Sequence, residues 1–231
     1  MIKVISLGGS IVVPDRIDIK FLQNFYNLVK NYLGRDSSRK LILVVGGGAS
    51  ARIYQDSYRK IVANPEAASQ DWIGIAATRL NGELLKAVFS EFCSEPLVTD
   101  PTAVESFDSR ILVAAGWKPG FSTDYDAVLL AEKFGAETVI NLSNISKVYS
   151  DDPRINPAAV PMDEMTWAEF IKLVGSEWIP GKNVPFDPVA TARAAELKMQ
   201  VIVAGGLDLE NIENLLEGRT DSFEGTLIGP E

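Results

Sequence analysis

Two hydrophobic periods alternate along this chain. Residues 2–7 and 40–45 ("KLILVV") are short, mainly apolar runs, the pattern of strands buried on both faces of a sheet. Between them Leu22, Phe25, Tyr26, Val29, Tyr32 and Leu33 recur at spacings of three and four, which predicts an amphipathic helix over 18–33. The same periods predict further helices over 49–62, 72–92, 123–134, 165–175, 188–198 and 209–218. Further strands are predicted near 96–99, 110–114, 137–142, 200–206 and at "GTLIG". Gly175 and Gly218 stand where helices end. A polar loop covers 143–161 and contains three prolines. Strands alternating with helices imply an α/β fold, a three-layer sandwich around a mostly parallel central sheet. The 143–161 loop divides an N-terminal lobe, about 1–142, from a C-terminal lobe, about 143–231.

Composition narrows the chemistry. The 231 residues carry a net charge of −9 with 46% hydrophobic and 23% charged residues, enough for a substantial core. No basic stripe is visible, which argues against a nucleic acid polymer as partner. The chain has no histidine and one cysteine, Cys93. Histidine-based acid–base catalysis, the Ser-His-Asp triad, the usual zinc sites and an internal disulfide are therefore excluded. No signal peptide and no membrane span is expected from the sequence, so the expected location is cytoplasmic.

Twice a strand runs straight into glycine: "VISLGGSIVV" over 4–13 and "LILVVGGGAS" over 41–50. Glycine after a buried strand permits a tight turn and lets backbone N–H groups approach an anion. Ligands of open α/β sheets bind beyond the carboxyl ends of the strands, where both loops would lie. Neither loop is a G-x-x-x-x-G-K-[ST] or a G-x-G-x-x-G motif. Arg52 follows the second loop within reach of a phosphate. "SQDWIGIAATRLNGELL" sets Asp71, Thr78, Arg79 and Asn81 in a segment too apolar to be free surface, so these side chains must find partners. Asp71 reads either as a helix N-cap or as an acceptor for a ribose hydroxyl. A third loop, "GWKPGFSTDYDAV", brings hydroxyls at Ser122 and Thr123 and the Asp124 carboxylate to the start of a helix. "NLSNISKVYSDDPR" gathers hydroxyls, an amide, an aromatic ring and a carboxylate, a mix that suits adenine and ribose.

In this order, "LGGS", "VVGGGASAR", "DWIGIAATRLN", "GFSTDYDAV", "NLSNISKVYSDDP" and "FDPVA" resemble the amino acid kinase superfamily over nearly the whole chain, and within it most closely the archaeal-type UMP kinases. The resemblance implies transfer of the ATP γ-phosphate to UMP, with Mg²⁺ as companion of ATP, and a homo-oligomer, a hexamer. It places Gly8, Gly9, Ser10, Gly48 and Arg52 along the transferring phosphates. It places Gly47 and Asp71 at UMP, and Trp117, Lys118, Pro119, Gly120, Phe121, Ser122 and Thr123 over the acceptor. Ser143, Asn144, Tyr149 and Asp152 would hold the ATP base and ribose, and Asp124 would organise the catalytic centre. No protein-held metal is implied. The chain departs from the family in three places. Ser6 stands two residues before the paired glycines where many members carry lysine. The "NVDGVY" stretch reads "NISKVY", with Ser146 and Lys147. The lysine that follows "DP" falls at Ala192, beside Arg193. Lys182, in "IPGKNVPFDP", is the expected replacement cation at the γ-phosphate. A kinase for a small carboxylate or carbamate, and a non-catalytic nucleotide-binding or storage protein, are the other readings this sequence supports.

Overall fold

A computed structural model describes residues 2–153, 155–175, 184–219 and 222–230. Its strands are β1 (Ile2–Leu7), β2 (Lys40–Val45), β3 (Ile111–Ala114), β4 (Thr138–Ser143), β5 (Val148–Tyr149), β6 (Pro161–Met162), β7 (Glu164–Thr166), β8 (Gln200–Gly205) and β9 (Thr226–Gly229). Its helices are α1 (Gly9–Val12), α2 (Ile19–Gly34), α3 (Gly48–Ile61), α4 (Ala67–Val88), α5 (Thr123–Lys133), α6 (Trp167–Val174), α7 (Pro188–Glu196) and α8 (Leu209–Glu217). Seven strands form one sheet in the order β3-β2-β1-β4-β8-β9-β7, while β5 and β6 pair separately. All sheet neighbours run parallel except β8 and β9.

The two-residue period of the strands divides the core. Ile5, Leu7, Leu41, Leu43, Ile140 and Leu142 face one side, packed with Phe21, Phe25 and Val29 of α2 and with Ile212 and Leu215 of α8. Val4, Ile42, Val44, Val139 and Val201 face the other, packed with Val128 and Leu130 of α5, Phe170 of α6 and Ala190 of α7. Both faces of the sheet are thus covered, which explains why the central strands lack polar alternation. Ser6, 2% exposed near the end of β1, and Asn141, 4% exposed in β4, are buried polar exceptions. By alternation Ser6 lies on the α5 side, level with Asn141 of β4.

Several boundaries differ from the sequence expectation, with identifiable causes. Helix α4 starts five residues before 72 and ends at Val88 rather than 92. Past its end the Phe89 carbonyl accepts the N–H groups of Phe92 and Cys93 in a turn, and the Phe92 carbonyl accepts those of Arg110 and Ile111 as the chain feeds β3. The strand expected at 96–99 reduces to a bridge between Val98 and Ala114. The 143–161 loop holds β5, which pairs with β6 just past its end. The first residues of the helix expected at 165–175 belong to β7, and α6 then opens at a Thr166–Glu169 capping box.

The two glycine loops touch. A Cβ on Gly9 would stand 2.1 Å from the Gly48 nitrogen. One on Gly48, whose φ is +62°, would stand 2.3 Å from the Gly9 carbonyl oxygen. Gly34, in the last turn of α2, has open space around it. Gly48→Ala should therefore cost more than about 2 kcal/mol of stability. Gly34→Ala should be neutral or stabilise by up to about 0.5 kcal/mol. Denaturant midpoints of the two variants check this pair of opposite signs.

Candidate active site

Strand β1 is flanked by β2 on one side and β4 on the other, so the chain reverses its direction of travel across the sheet between β1 and β4. Such a switch point opens a crevice at the carboxyl ends of the strands. Gly8 leaves β1 there, and its N–H donates to the Leu142 carbonyl at 2.8 Å. Gly9 and Ser10 begin α1, and Gly47 caps the start of α3. The first-turn N–H groups of a helix lack intrahelical acceptors, so α3 presents a positive end at this edge. One of these groups, the Ala49 N–H, is already taken by the Val13 carbonyl at 2.8 Å.

Asp124, in the first turn of α5, reaches back to this edge. Ser6 Oγ donates to its Oδ1 at 2.8 Å, and the Asp187 N–H donates to its Oδ2 at 3.3 Å. Where the family's lysine would place an ammonium, this chain places a hydroxyl bonded directly to Asp124. Burial pushes the Asp124 carboxyl up to about 6; the Ser6 hydrogen bond opposes the rise, and the Asp187 charge adds to it. Burial likewise raises Asp187, against hydrogen bonds from the Ala190 and Val189 N–H groups and from Ser122. Asn141 donates to the Pro185 carbonyl at 2.9 Å, which ties β4 to the segment leading into Asp187.

The polar row of α4 finds its partners in the loops around the crevice. Asn81 Nδ2 donates to the carbonyls of Gly46 and Gly47 at 2.8 and 3.2 Å. Thr78 Oγ1 accepts the Gly116 N–H at 2.8 Å. Arg79 donates to the carbonyls of Gly116 and Trp117 at 3.2 and 2.9 Å. Asp71 Oδ2 accepts the Gly120 N–H at 2.9 Å. It lies inside α4, whose cap residue is Glu66, so the N-cap reading of Asp71 is corrected. One helix therefore binds both the second glycine loop and the 116–120 loop. The latter carries an aromatic row: the Trp117 and Phe121 rings are 5.4 Å apart, Phe121 and Tyr125 4.6 Å, and the Lys118 ammonium sits 3.7 Å from the Trp117 ring centre. Ser122 caps α5, followed by Thr123 as its first residue. Pro119 is half-buried in the turn before the positive-φ Gly120.

The residues expected at the ATP base lie beyond β4 and around β5. Ser143 ends β4, and its carbonyl accepts the Gly206 N–H at 2.8 Å. Asn144 is exposed, Tyr149 lies in β5, and the Asp152 carbonyl accepts the N–H groups of Ile155 and Asn156. Lys147, in place of the family glycine, forms an ion pair with Asp163. Arg193 does not take over from the lysine missing at Ala192: it pairs with Glu132 and Glu196. Arg52 donates to the Pro14 carbonyl at 2.8 Å. Lys182 lies outside the described residues. One residue with a bearing on the site escaped the sequence reading. Asp126, in the second half of "STDYDAV", is completely buried and accepts the Trp117 N–H at 3.2 Å. Burial pushes its carboxyl up to about 7. Leu130, four residues on and so on the same helix face, was the available signal, since an apolar residue there marks that face as core.

A crevice at the switch point, edged by two glycine loops and the start of α3 and holding a half-buried carboxylate, defines an α/β protein equipped to handle phosphate esters. The profile of the amino acid kinase family matches residues 1–205, and the chain belongs to that family. A uridylate kinase of Methanospirillum hungatei JF-1 is 36% identical over 230 residues, covering 97% of this chain and 93% of that protein. A uridylate kinase of Pyrococcus abyssi is 32% identical across 98% of this chain and 99% of its own length. Among solved structures, the uridylate kinase from Archaeoglobus fulgidus superposes with a TM-score of 0.82 at 31% identity, over 99% of this chain and 100% of that one. A Bacillus anthracis UMP kinase shares the fold at a TM-score of 0.75 and 17% identity, covering 100% of this chain and 96% of that one.

The raised carboxyls give stability a definite pH slope. Asp124 and Asp126 hold protons in the folded chain up to about 6 and about 7, against an ordinary 3.8. Between about pH 4 and 7 the folded state binds more protons than the unfolded, so their contribution falls as pH rises. Asp126→Asn removes the larger effect. Relative to the parent chain it should gain on the order of 2 kcal/mol at pH 8 and little at pH 5, read from denaturant midpoints at the two pH values.

Proposed function

We propose that this chain is a UMP kinase that transfers the γ-phosphoryl group of ATP to UMP, giving ADP and UDP in pyrimidine nucleotide synthesis. The observation that carries this reading is the similarity to uridylate kinases along 97% of the chain. The geometry supports it, because phosphoryl transfer asks for alignment and charge stabilisation rather than a histidine base.

In this reading, the backbone at Gly8, Gly9, Ser10 and Gly48 receives the transferring phosphates. The segment from Ser143 to Asp152, with Asn144 and Tyr149, receives the ATP base and ribose. Gly47, Asp71 and the Trp117–Thr123 loop receive UMP. Asp124 stands between the two sites, held by Ser6 and by the Asp187 N–H. It orients the donors around the phosphate edge and keeps bulk water from one side of it. Among the described residues no group of three or more acidic or cysteine side chains is placed to hold a metal ion. A Mg²⁺ ion that travels with ATP would keep phosphate and water oxygens as its ligands. Such an ion neutralises charge on the phosphates when bound. Arg52, at the rim of the first glycine loop, and Lys182 are the side chains assigned to supply further positive charge.

Among the described residues no helix is long and apolar enough to cross a membrane. Exposed Ile53, Tyr54 and Ile61 on α3 and Leu80 on α4 support self-association, and a cytoplasmic hexamer is the assembly we assign.

A coupled assay with ATP, Mg²⁺ and a panel of UMP, CMP, AMP, acetylglutamate, aspartate and carbamate tests the substrate. UMP should be the preferred acceptor; no UDP from UMP would overturn the reading. Asp124→Asn and Lys182→Ala should each lower kcat by about a hundredfold or more if the carboxylate and the ammonium act at the phosphates. Ser6→Ala leaves Asp124 with one fewer donor. It should lower kcat by about tenfold and move the acidic limb of the kcat profile upward, because the Ser6 bond favours the ionised carboxylate.

A further inference from the structure

Asp126 is the charged side chain whose position stability alone does not explain. It is 0% exposed, next to Ala127 and Val128, which fill the core between α5 and the sheet. A buried carboxyl lacking a full set of partners costs stability. Oδ2 accepts the Trp117 N–H at 3.2 Å, while Oδ1 has no hydrogen-bond partner. The charged groups facing it are Asp124 on its own helix, Asp100 in the segment before β3, and Arg79 on α4. None of them forms an ion pair with it among the described residues.

What Asp126 does hold is the first residue of the loop that follows β3. Trp117 is gripped from two sides. Its N–H goes to Asp126, and its carbonyl accepts from Arg79 at 2.9 Å. Three residues on, the Gly120 N–H goes to Asp71. Two of these three ties come from α4. Asp126 supplies the one from α5, the helix that also carries Asp124. The other end of the loop runs into α5 through the Ser122 cap, so Asp126 fixes the start of the loop relative to the Asp124 carboxylate.

We propose that Asp126 is a positioning residue for the acceptor site: through the Trp117 N–H it sets where the Trp117–Thr123 loop stands relative to Asp124. What binds under the loop rests on the UMP kinase reading; the hydrogen bond and its effect on the loop do not.

Two variants and one measurement on the parent chain test this. Asp126→Asn keeps an acceptor for the Trp117 N–H, and its KM for UMP should stay within about threefold of the parent. Asp126→Val removes the acceptor and should raise KM for UMP about tenfold, with KM for ATP and kcat changed less than threefold. Its melting temperature should equal or exceed that of the parent, because it removes a buried acid. A residue that merely packs would not weaken acceptor binding while sparing stability, nor be rescued by asparagine. Amide hydrogen exchange gives an arm independent of turnover. In the parent chain the Trp117 amide should exchange more slowly than that of Lys118, and the protection should persist in the Asn variant and vanish in the Val variant. A Val variant with the parent's KM for UMP and the parent's protection at Trp117 overturns the proposal. If the Val variant does not fold, equal exchange at Trp117 and Lys118 in the parent overturns it. If the parent does not phosphorylate UMP, the substrate reading falls and the exchange comparison still decides the role of Asp126.

Discussion

The structure turns on a contact between two loops that contain no side chains. The Gly9 backbone lies so close to Gly46–Gly48 that a single Cβ on either side would overlap main-chain atoms. This contact brings the end of β1 against the start of α3, and so aims the positive end of a 14-residue helix at the switch point. It also explains both glycine runs at once. Each loop needs glycine because the other loop is there.

Helix α4 makes the crevice a unit. Asn81 holds the carbonyls of the second glycine loop, and two and three residues earlier Arg79 and Thr78 hold the start of the 116–120 loop. From the other side of the sheet, α5 brings Asp124 to Ser6 and Asp126 to Trp117. The glycine loops and the 116–120 loop are thereby referenced to the same two helices. Alignment of two polyanionic substrates depends on such shared references, since the chemistry of phosphoryl transfer leaves the protein little else to supply.

The electrostatics of the site follow from an acidic chain that has given up lysines. Ser6 stabilises the Asp124 carboxylate with a hydrogen bond instead of a charge, which leaves burial and the neighbouring Asp187 to push its proton affinity up. The cations that the described residues offer nearby are engaged: Arg52 with the Pro14 carbonyl, Arg79 with the acceptor loop, Arg193 with two glutamates, and Lys118 over an aromatic ring. Among the described residues, backbone dipoles of the glycine loops and of α3 add positive potential at the phosphate edge. That arrangement was partly legible from "LGGS" without a lysine; the hydroxyl's bond to Asp124 was not, because the two residues are 118 positions apart.

Hydrophobic period alone determined the alternation of strands and helices, the burial of the sheet on both faces and the two glycine turns, because each depends on neighbours a few residues apart. It also required that the polar residues of α4 have partners, since an apolar helix leaves them no water. Only the tertiary structure decided which partners: Gly116 for Thr78, Gly46 and Gly47 for Asn81, and Gly120 for Asp71 rather than a helix cap. The antiparallel β9, the edge strand β7 and the cover over Asp126 belong to the same class. Leu130 one turn on marks that face of α5 as core, but nothing within a few residues of Asp126 says which segment covers it. That is set by the direction in which α5 crosses β1 and β2, a relation between segments some eighty residues or more apart.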